Sequence, residues 1–488
     1  MIAMTETKTD PCAQPDLRIE AGLRAAADEL ARLADDSELR ARGIEGLELD
    51  EASSAQLEYT ATDEGVSGSQ FALRQRFVRT AGSRVGYVCD EDASRPLAEL
   101  VRDAVELSGC ADGSVPAGLV CPDSASGGDA PADVACCDGV PALPTPDAAA
   151  MRACAERLRG LVVAKAADPL AVECTVRHYA EGHAVANSCG LVRAASGGHY
   201  LARASFIARG ETEMHDMTCR AYAPSLEGFD LERLAVRTVA LAEASLDGGQ
   251  LPSGRYPVVL SSHVACQMLM GIWQIFSASK LAARQSFLHG KVGEQVASPA
   301  LTIADGPACG GGFKPPFDVE GAPMGCTPGV DAGRLVEPLS DLAWAGRMGL
   351  SASSGNAARR DTLGRIVPND VTVAPSCICI EPGTSSLSDL FAQMGDGVYL
   401  TDIGDIYHSF NFASGDVSAP CRGVWVRGGE PAGGIRACTL SDNLASILAN
   451  VAAVSDELEF VDLEDLNAYY AGAPDVLVDG LNLVGTGE

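Results

Sequence analysis

The chain has 488 residues and a formal net charge of −30, from 36 Lys and Arg against 66 Asp and Glu. At roughly 100–200 residues per domain the length suffices for several domains, and so negative a surface repels a phosphate backbone, so we expect no nucleic-acid partner. No run reaches the ~18 uninterrupted apolar residues of a membrane span, and the polar first residues show no signal-peptide pattern, so we expect a cytoplasmic protein without a membrane partner.

The chain contains 17 cysteines, which is a high and odd number, and they are scattered along its length. In a reducing compartment most cysteines serve as small buried apolar residues. The close pairs, Cys136 with Cys137 and Cys377 with Cys379, have neither the CxxC spacing nor a second pair that a zinc ribbon requires. We therefore expect no structural zinc site.

The first third of the chain predicts a small α+β domain. Residues 1–15 read as a disordered tail, and apolar residues at helical spacing predict an amphipathic helix over residues 17–33. A period-two pattern punctuated by glycines then predicts antiparallel strands, and residues 95–107 are helical again. We place this domain at residues 16–109, followed by a linker or long loop at residues 110–143, which are rich in Gly, Pro, Ala and Asp.

The middle of the chain repeats this order of helix, strands and helix. Thr145 as N-cap and Pro146 at the first helical position predict a helix that runs to Lys165. Strand-like runs follow, and a second helix is predicted over residues 231–246. The middle α+β domain is placed at residues 144–250.

The remaining residues, 251–488, predict a larger β-rich domain. It opens with an apolar strand at residues 256–260, and residues 264–279 are apolar nearly all round, which predicts a buried helix. Short apolar segments separated by Gly, Pro and Asp come next, then a predicted helix at residues 441–454 and a closing strand at residues 475–484. The fold class is therefore α+β, with two helix-flanked antiparallel β units followed by a larger β-rich C-terminal domain.

Short motifs lie along the chain in a distinctive order. They are Asn187-Ser188-x-Gly190-Leu191, residues 254–298, Phe317-Asp318-x-Glu320-Gly321-x-Pro323, Ser354-Gly355-Asn356-Ala357-x-Arg359, Glu381-Pro382-Gly383, residues 404–451 and Ala473-Pro474-Asp475. Each is weak alone, but their order resembles the TldD/PmbA family of metallopeptidase-related proteins, also linked to gyrase modulation. A role on DNA fits poorly with the net charge.

The resemblance implies a zinc site that this chain lacks. TldD members carry an H-E-x-x-x-H helix soon after the strand that ends here at Leu260, and a further Cys ligand close to the C-terminus. Residues 268–275 contain neither His nor Glu, and the last cysteine is Cys438. The resemblance therefore points to the PmbA (TldE) branch, with no metal, no cofactor and no catalytic residue on this chain. It implies a heterodimer whose TldD-like partner bears the H-E-x-x-x-H motif and the zinc, and whose substrates are unfolded or extended peptides.

Two glycine-containing segments are candidates for a peptide path. In the family, segments like these line a cleft in which an extended peptide can pair with a strand edge; ordinary hairpins and turns explain the same pattern. The candidate residues are Ser286, Phe287, His289, Gly290, Gly293, Gly395, Gly397 and Tyr399.

Other functions stay open at the level of sequence. His263, Cys266 and His289 could form a relocated metal site and make the chain a peptidase in its own right, although no nearby carboxylate completes the set. Cys421 and His408 could form a nucleophile and base pair, but with 17 cysteines and seven histidines such pairs arise by chance. A stand-alone, chaperone-like homodimer that binds peptides is the third alternative.

Overall fold

The computed structural model describes residues 22–91, 94–110, 117–122, 145–306, 312, 314–359, 370–462 and 470–485. The predicted tail at residues 1–15 and most of the predicted linker at residues 110–143 lie outside this part of the chain. The helices are α1 (Leu23–Ala34), α2 (Ser37–Ala41), α3 (Leu97–Ser108), α4 (Ala148–Lys165), α5 (Leu231–Ala244), α6 (Ser262–Ile272), α7 (Ala278–Ala282), α8 (Leu342–Met348), α9 (Leu387–Met394) and α10 (Leu444–Ala449), with short 3-10 helices at Leu226–Gly228 and Trp273–Phe276.

The strands fall into an N-terminal and a C-terminal group. The N-terminal strands are β1 (Ile44–Thr62), β2 (Gly65–Gly82), β3 (Tyr87–Asp90), β4 (Pro169–Asn187), β5 (Val192–Arg209) and β6 (Met214–Ala223). The C-terminal strands are β7 (Gly254–Leu260), β8 (Ile303–Asp305), β9 (Thr327–Asp331), β10 (Arg334–Leu335), β11 (Ala357–Ala358), β12 (Thr372–Val373), β13 (Cys377–Ile380), β14 (Gly397–Ile403), β15 (Asp416–Arg427), β16 (Glu430–Asn443), β17 (Val451–Val454), β18 (Glu459–Asp462), β19 (Tyr470–Ala473) and β20 (Val476–Gly485).

The two predicted N-terminal units form one antiparallel sheet in the order β3-β2-β1-β4-β5-β6. Strands β1 and β4 join the halves, with pairs running from Glu48 opposite Asn187 to Ala61 opposite Cys174. Each half therefore contributes three strands and its own helices to a shared sheet.

The two faces of this sheet have different neighbours, because successive side chains of a strand point to opposite sides. On β1, Leu47 and Leu49 pack against Leu30 of α1 and Leu100 of α3, and α4 and α5 cover β4–β6 in the same way. Glu48 and Asp50, at the alternate positions of β1, are buried on the other side of the sheet, where they meet residues of the C-terminal domain.

The C-terminal domain contains a closed ring of strands beside a second sheet. Strands β16, β15, β14, β7 and β20 pair in that order, and β16 also pairs with β20, which closes the ring. The second sheet has the order β10-β9-β8-β13-β19-β18. Helix α6 contacts β14 of the ring and both β18 and β19 of the second sheet, so the main apolar core lies around it.

The structure confirms the α+β fold class and corrects three local predictions. Helix α4 is capped by Asp147, whose side chain accepts the Ala150 N–H, and not by Thr145. The predicted helix at residues 264–279 is broken into α6, a 3-10 turn and α7. Much of the predicted helix at residues 441–454 is strand, because β16 continues to Asn443 and β17 begins at Val451, so only α10 between them is helical.

Candidate functional site

Helix α6 occupies the place where the resemblance implies a zinc-binding helix. Its N-cap is Ser261, whose Oγ accepts the Val264 N–H at 3.2 Å, and ten of its eleven residues are buried. A Cβ added at Gly271 would lie 2.4 Å from the ring of Phe410, so the helix packs tightly against the loop after β14. This helix is a core element rather than the wall of an open site.

The residues at this place do not fit a zinc ion. Met268, Leu269, Met270, Ile272 and Trp273 are apolar and each is at most 5% exposed. Zinc sites in proteins are built from thiolate, imidazole and carboxylate donors, and these side chains offer none. Residues 439–488 contain no cysteine, so they offer no thiolate ligand.

A polar cluster joins the middle unit to the C-terminal domain next to the start of α6. Nε2 of His215 on β6 lies 3.5 Å from Asp402 of β14, and Nε2 of His263 lies 4.0 Å from the other oxygen of the same carboxylate. Burial lowers the pKa of His263 to about 4, against the opposing effect of Asp402. The neutral His263, together with His215 and the carboxylate of Asp402 between them, forms a polar joint between β6, β14 and α6.

The three residues of the alternative metal site lie in separate environments. The Cys266 thiol is buried and donates to the Glu459 carbonyl at 3.2 Å, and burial raises its pKa to about 12. His289 is on the surface, where its Nδ1–H donates to the Leu281 carbonyl at 2.7 Å, whereas His263 belongs to the polar joint. Within the described part of the chain, no group of three or more His, Cys, Asp or Glu side chains is arranged to hold a metal ion.

The alternative cysteine nucleophile is buried away from its proposed base. Cys421 of β15 faces Cys438 of β16, with 3.4 Å between the sulfurs. The His408 side chain is 81% exposed and bonds to Asp405. These two residues do not form a nucleophile and base pair.

The first peptide-path segment is a turn-rich stretch after α7. Hydrogen bonds hold it to the 3-10 turn before α7 and to the loop after β14. Ser286 is buried and its Oγ donates to the Ile275 carbonyl at 2.8 Å. The Phe287 N–H donates to the Phe412 carbonyl at 2.8 Å. Gly290 and Gly293 have φ values of 76° and 88°, a region that suits glycine in turns.

The second segment lies in the strand ring. Gly395 ends α9 with a φ of 70°, and a Cβ added at Gly397 would lie 2.4 Å from the Pro257 carbonyl oxygen. Tyr399 donates its hydroxyl to Asp475 at 3.3 Å. Strand β14 is paired with β7 on one edge and β15 on the other, so this segment offers no open edge to an extended peptide.

An open groove adjoins the first segment. It has a volume of about 820 Å³ and lies between the end of α7, the loop after β14 and the start of β15. Its walls include Lys280, Gln285, Phe410, Phe412 and Asp416. Because the Phe287 N–H bonds to Phe412, the groove and the segment share a wall.

Among the described residues, two buried ion clusters join the central sheet to the C-terminal domain, and their members on the sheet were not predicted as site residues. In one cluster Arg79 bonds to Glu48 and to Glu320; in the other Asp50 accepts from His183 and from Arg359, each at 2.7 Å. Two signals were available: charged residues at alternate positions of the apolar run at residues 44–50, and the motifs around Glu320 and Arg359.

Comparison with known proteins fits this geometry. The profile of the PmbA/TldA metallopeptidase C-terminal domain matches residues 253–485. A protein of Methanothermobacter thermautotrophicus named Metalloprotease is 29% identical over 48% of this chain and 50% of its own length. The Metalloprotease PmbA homolog of Haemophilus influenzae is 28% identical over 44% of each chain. The matched stretch thus spans about half the length of these curated relatives.

Solved structures show the same fold over nearly the whole chain. TldE from Thermococcus kodakarensis superimposes with a TM-score of 0.76 at 18% identity, covering 94% of this chain and 100% of the other. A putative modulator of a DNA gyrase from Thermotoga maritima gives 0.74 at 19% identity, covering 94% and 99%. Within the described residues no helix is both long and apolar enough to cross a membrane. Residues 253–485 of the chain therefore form a C-terminal domain of the PmbA/TldD family, and the chain as a whole shares the fold of TldE.

Proposed function

We propose that the chain is the non-zinc, PmbA-like subunit of a TldD/PmbA-type metallopeptidase complex that acts on unfolded or modified peptides in the cytoplasm. The observation that carries this proposal is the apolar, buried stretch at residues 268–275, where zinc ligands would be required. A family member with a filled core at that place needs another subunit for the chemistry.

The partner in this proposal is a TldD-like chain that bears H-E-x-x-x-H and holds the zinc. This chain contributes no catalytic residue; it completes the enclosed chamber and shapes the route of the peptide. The open groove beside Phe412 supports that role, because it is large enough for several side chains of an extended peptide and has both apolar and charged walls.

The first test is native mass spectrometry of the tagged chain purified from its own host, with metal analysis of the same sample. The expected result is a heteromer with an H-E-x-x-x-H protein and zinc in that complex. A metal-free homo-oligomer would instead support the chaperone-like peptide-binding homodimer. Zinc bound by this chain alone would favour a peptidase with a relocated site and would overturn the proposal.

A second test examines the groove within the complex. Phe412→Ala should raise KM for an unfolded peptide without changing the mass or zinc content of the complex, because only the peptide route is altered. The matched control is Phe71→Ala, which removes a ring that is 45% exposed on β2, outside the groove. Equal KM values for the two variants would remove the groove from the peptide path.

A further inference from the structure

A second cavity lies between the central sheet and the C-terminal domain, and the proposed function does not use it. Its volume is about 220 Å³. One wall is formed by β1, β2 and β4, on the face that carries Asp50. The other is formed by residues 314–319 with Met324, by residues 355–359 and by residues 374–376. The cavity is therefore enclosed by the motifs around Glu320 and Arg359 on one side and by the sheet on the other.

The guanidinium of Arg359 in this wall is only partly satisfied. Its Nε donates to Asp50 at 2.7 Å, and its Cζ lies 4.4 Å from the centre of the Phe77 ring. Both terminal nitrogens, Nη1 and Nη2, are shielded from solvent and have no hydrogen-bond acceptor among the described residues. Burying unpaired donors of a charged group is costly, and such groups usually signal a missing water, ion or ligand.

The charged groups in the cavity wall determine which kind of hydrogen-bond acceptor can pair with Arg359. Two terminal nitrogens of one guanidinium match the two oxygens of a carboxylate in a bidentate pair. Asp50 and Glu181 on the same wall disfavour a doubly charged phosphate, whereas Lys314 offsets one added negative charge. A monoanion or a zwitterion fits this balance best.

The apolar part of the wall and the volume limit the rest of the ligand. Leu73, Phe317, Val319 and Met324 line the cavity, and the Phe317 ring is held in place by stacking on His183 at 5.0 Å. The volume is below the roughly 300–1,000 Å³ of pockets for drug-sized ligands. We infer that this cavity binds a small carboxylate, an amino acid or a dipeptide with an apolar side chain, whose carboxylate accepts hydrogen bonds from Nη1 and Nη2 of Arg359.

The test is isothermal titration calorimetry on the full chain with L-leucine and L-leucylglycine, their C-terminal amides and inorganic phosphate. The free acids should bind roughly ten- to a hundredfold more tightly than the amides, because an amide cannot form the charge-assisted pair. Arg359→Gln should abolish that preference, whereas Arg203→Gln, which removes an ion pair with Glu173 outside the cavity, should keep it.

A further variant guards against loss of folding in Arg359→Gln. Ala52→Phe places a ring in the cavity and leaves the bond between Asp50 and Arg359 in place, so it should abolish binding of acids and amides alike. Equal affinity for acids and amides in the native chain, tighter binding of phosphate, or no binding of either acid at millimolar concentration would each overturn the inference. None of these outcomes depends on whether a zinc-bearing partner exists.

Discussion

Replacing Arg79 by Met should destabilise the fold by about 3–5 kcal/mol, the typical cost of removing one member of a buried ion pair. The Arg79, Glu48 and Glu320 side chains are at most 1% exposed, and the guanidinium bonds to both carboxylates. Burial, together with repulsion from Glu320, already raises the pKa of Glu48 to about 7 even with Arg79 present. Met has a similar length, so the change removes the charge and leaves two buried carboxylates facing each other.

The destabilisation should depend on pH, and its sign follows from the carboxyl groups. Without Arg79, Glu48 binds a proton more readily in the folded than in the unfolded chain, so stability is lost as pH rises through its folded pKa. The deficit of Arg79→Met relative to the native chain should therefore be largest at pH 8 and smaller at pH 5.5. Urea unfolding followed by circular dichroism at both pH values measures it.

The control is Arg152→Met, which breaks an exposed pair with Glu156 on α4 in which both side chains are more than half exposed. That change should cost less than about 1 kcal/mol at either pH. Adding Glu48→Gln to Arg79→Met should recover part of the lost stability, because one buried charge is removed. A cost for Arg79→Met no larger than that of Arg152→Met, or equal at both pH values, would refute the reasoning.

Three further predictions concern packing, titration and a helix cap. Gly271→Val should lower the thermal unfolding temperature by several degrees in a fluorescence melt, because its Cβ would overlap the Phe410 ring; an unchanged melt would show that α6 is loosely packed. Burial lowers the pKa of His178 from 6.5 to about 4, so the native chain should lose stability as pH falls from 6.5 to 4, and His178→Phe should reduce that slope in urea titrations. Asp147→Ala should cost about 1 kcal/mol in urea unfolding, whereas Thr145→Ala should cost almost nothing; the reverse order would restore Thr145 as the cap.

Hydrophobic periodicity predicted the sequence of elements, because each half of the central sheet follows local patterns. Helix α5 and strand β20 lie close to their predicted positions. The pattern failed where tertiary pairing decides the local structure. The predicted helix began at Ser441, but pairing of residues 441–443 with β15 extends β16 to Asn443. The break between α6 and α7 likewise follows from contacts of Ser277 and Ala278 with Leu339, which no local pattern encodes.

The sites could be predicted only in part, and for a similar reason. The lack of zinc ligands at residues 268–275 is readable directly from the residues. The group formed by Asp50, His183 and Arg359 is not, because Asp50 and Arg359 are 309 residues apart in sequence and only the folded chain brings them together. The motif around Arg359 indicated one wall of the cavity between the central sheet and the C-terminal domain. No comparable motif indicated the opposite wall, which is formed by the sheet.

The pairing of β1 with β4 has a consequence for synthesis of the protein on the ribosome. Asp50 of β1 and its hydrogen-bond partner His183 of β4 are 133 residues apart in sequence. Translation proceeds at about 5–20 residues per second. Strand β1 must therefore wait on the order of ten seconds for β4 to emerge. During that interval the nascent chain exposes a long strand edge able to pair with other chains. The nascent chain is thus most vulnerable to aggregation before β4 arrives, and chaperone engagement is expected to concentrate in that window.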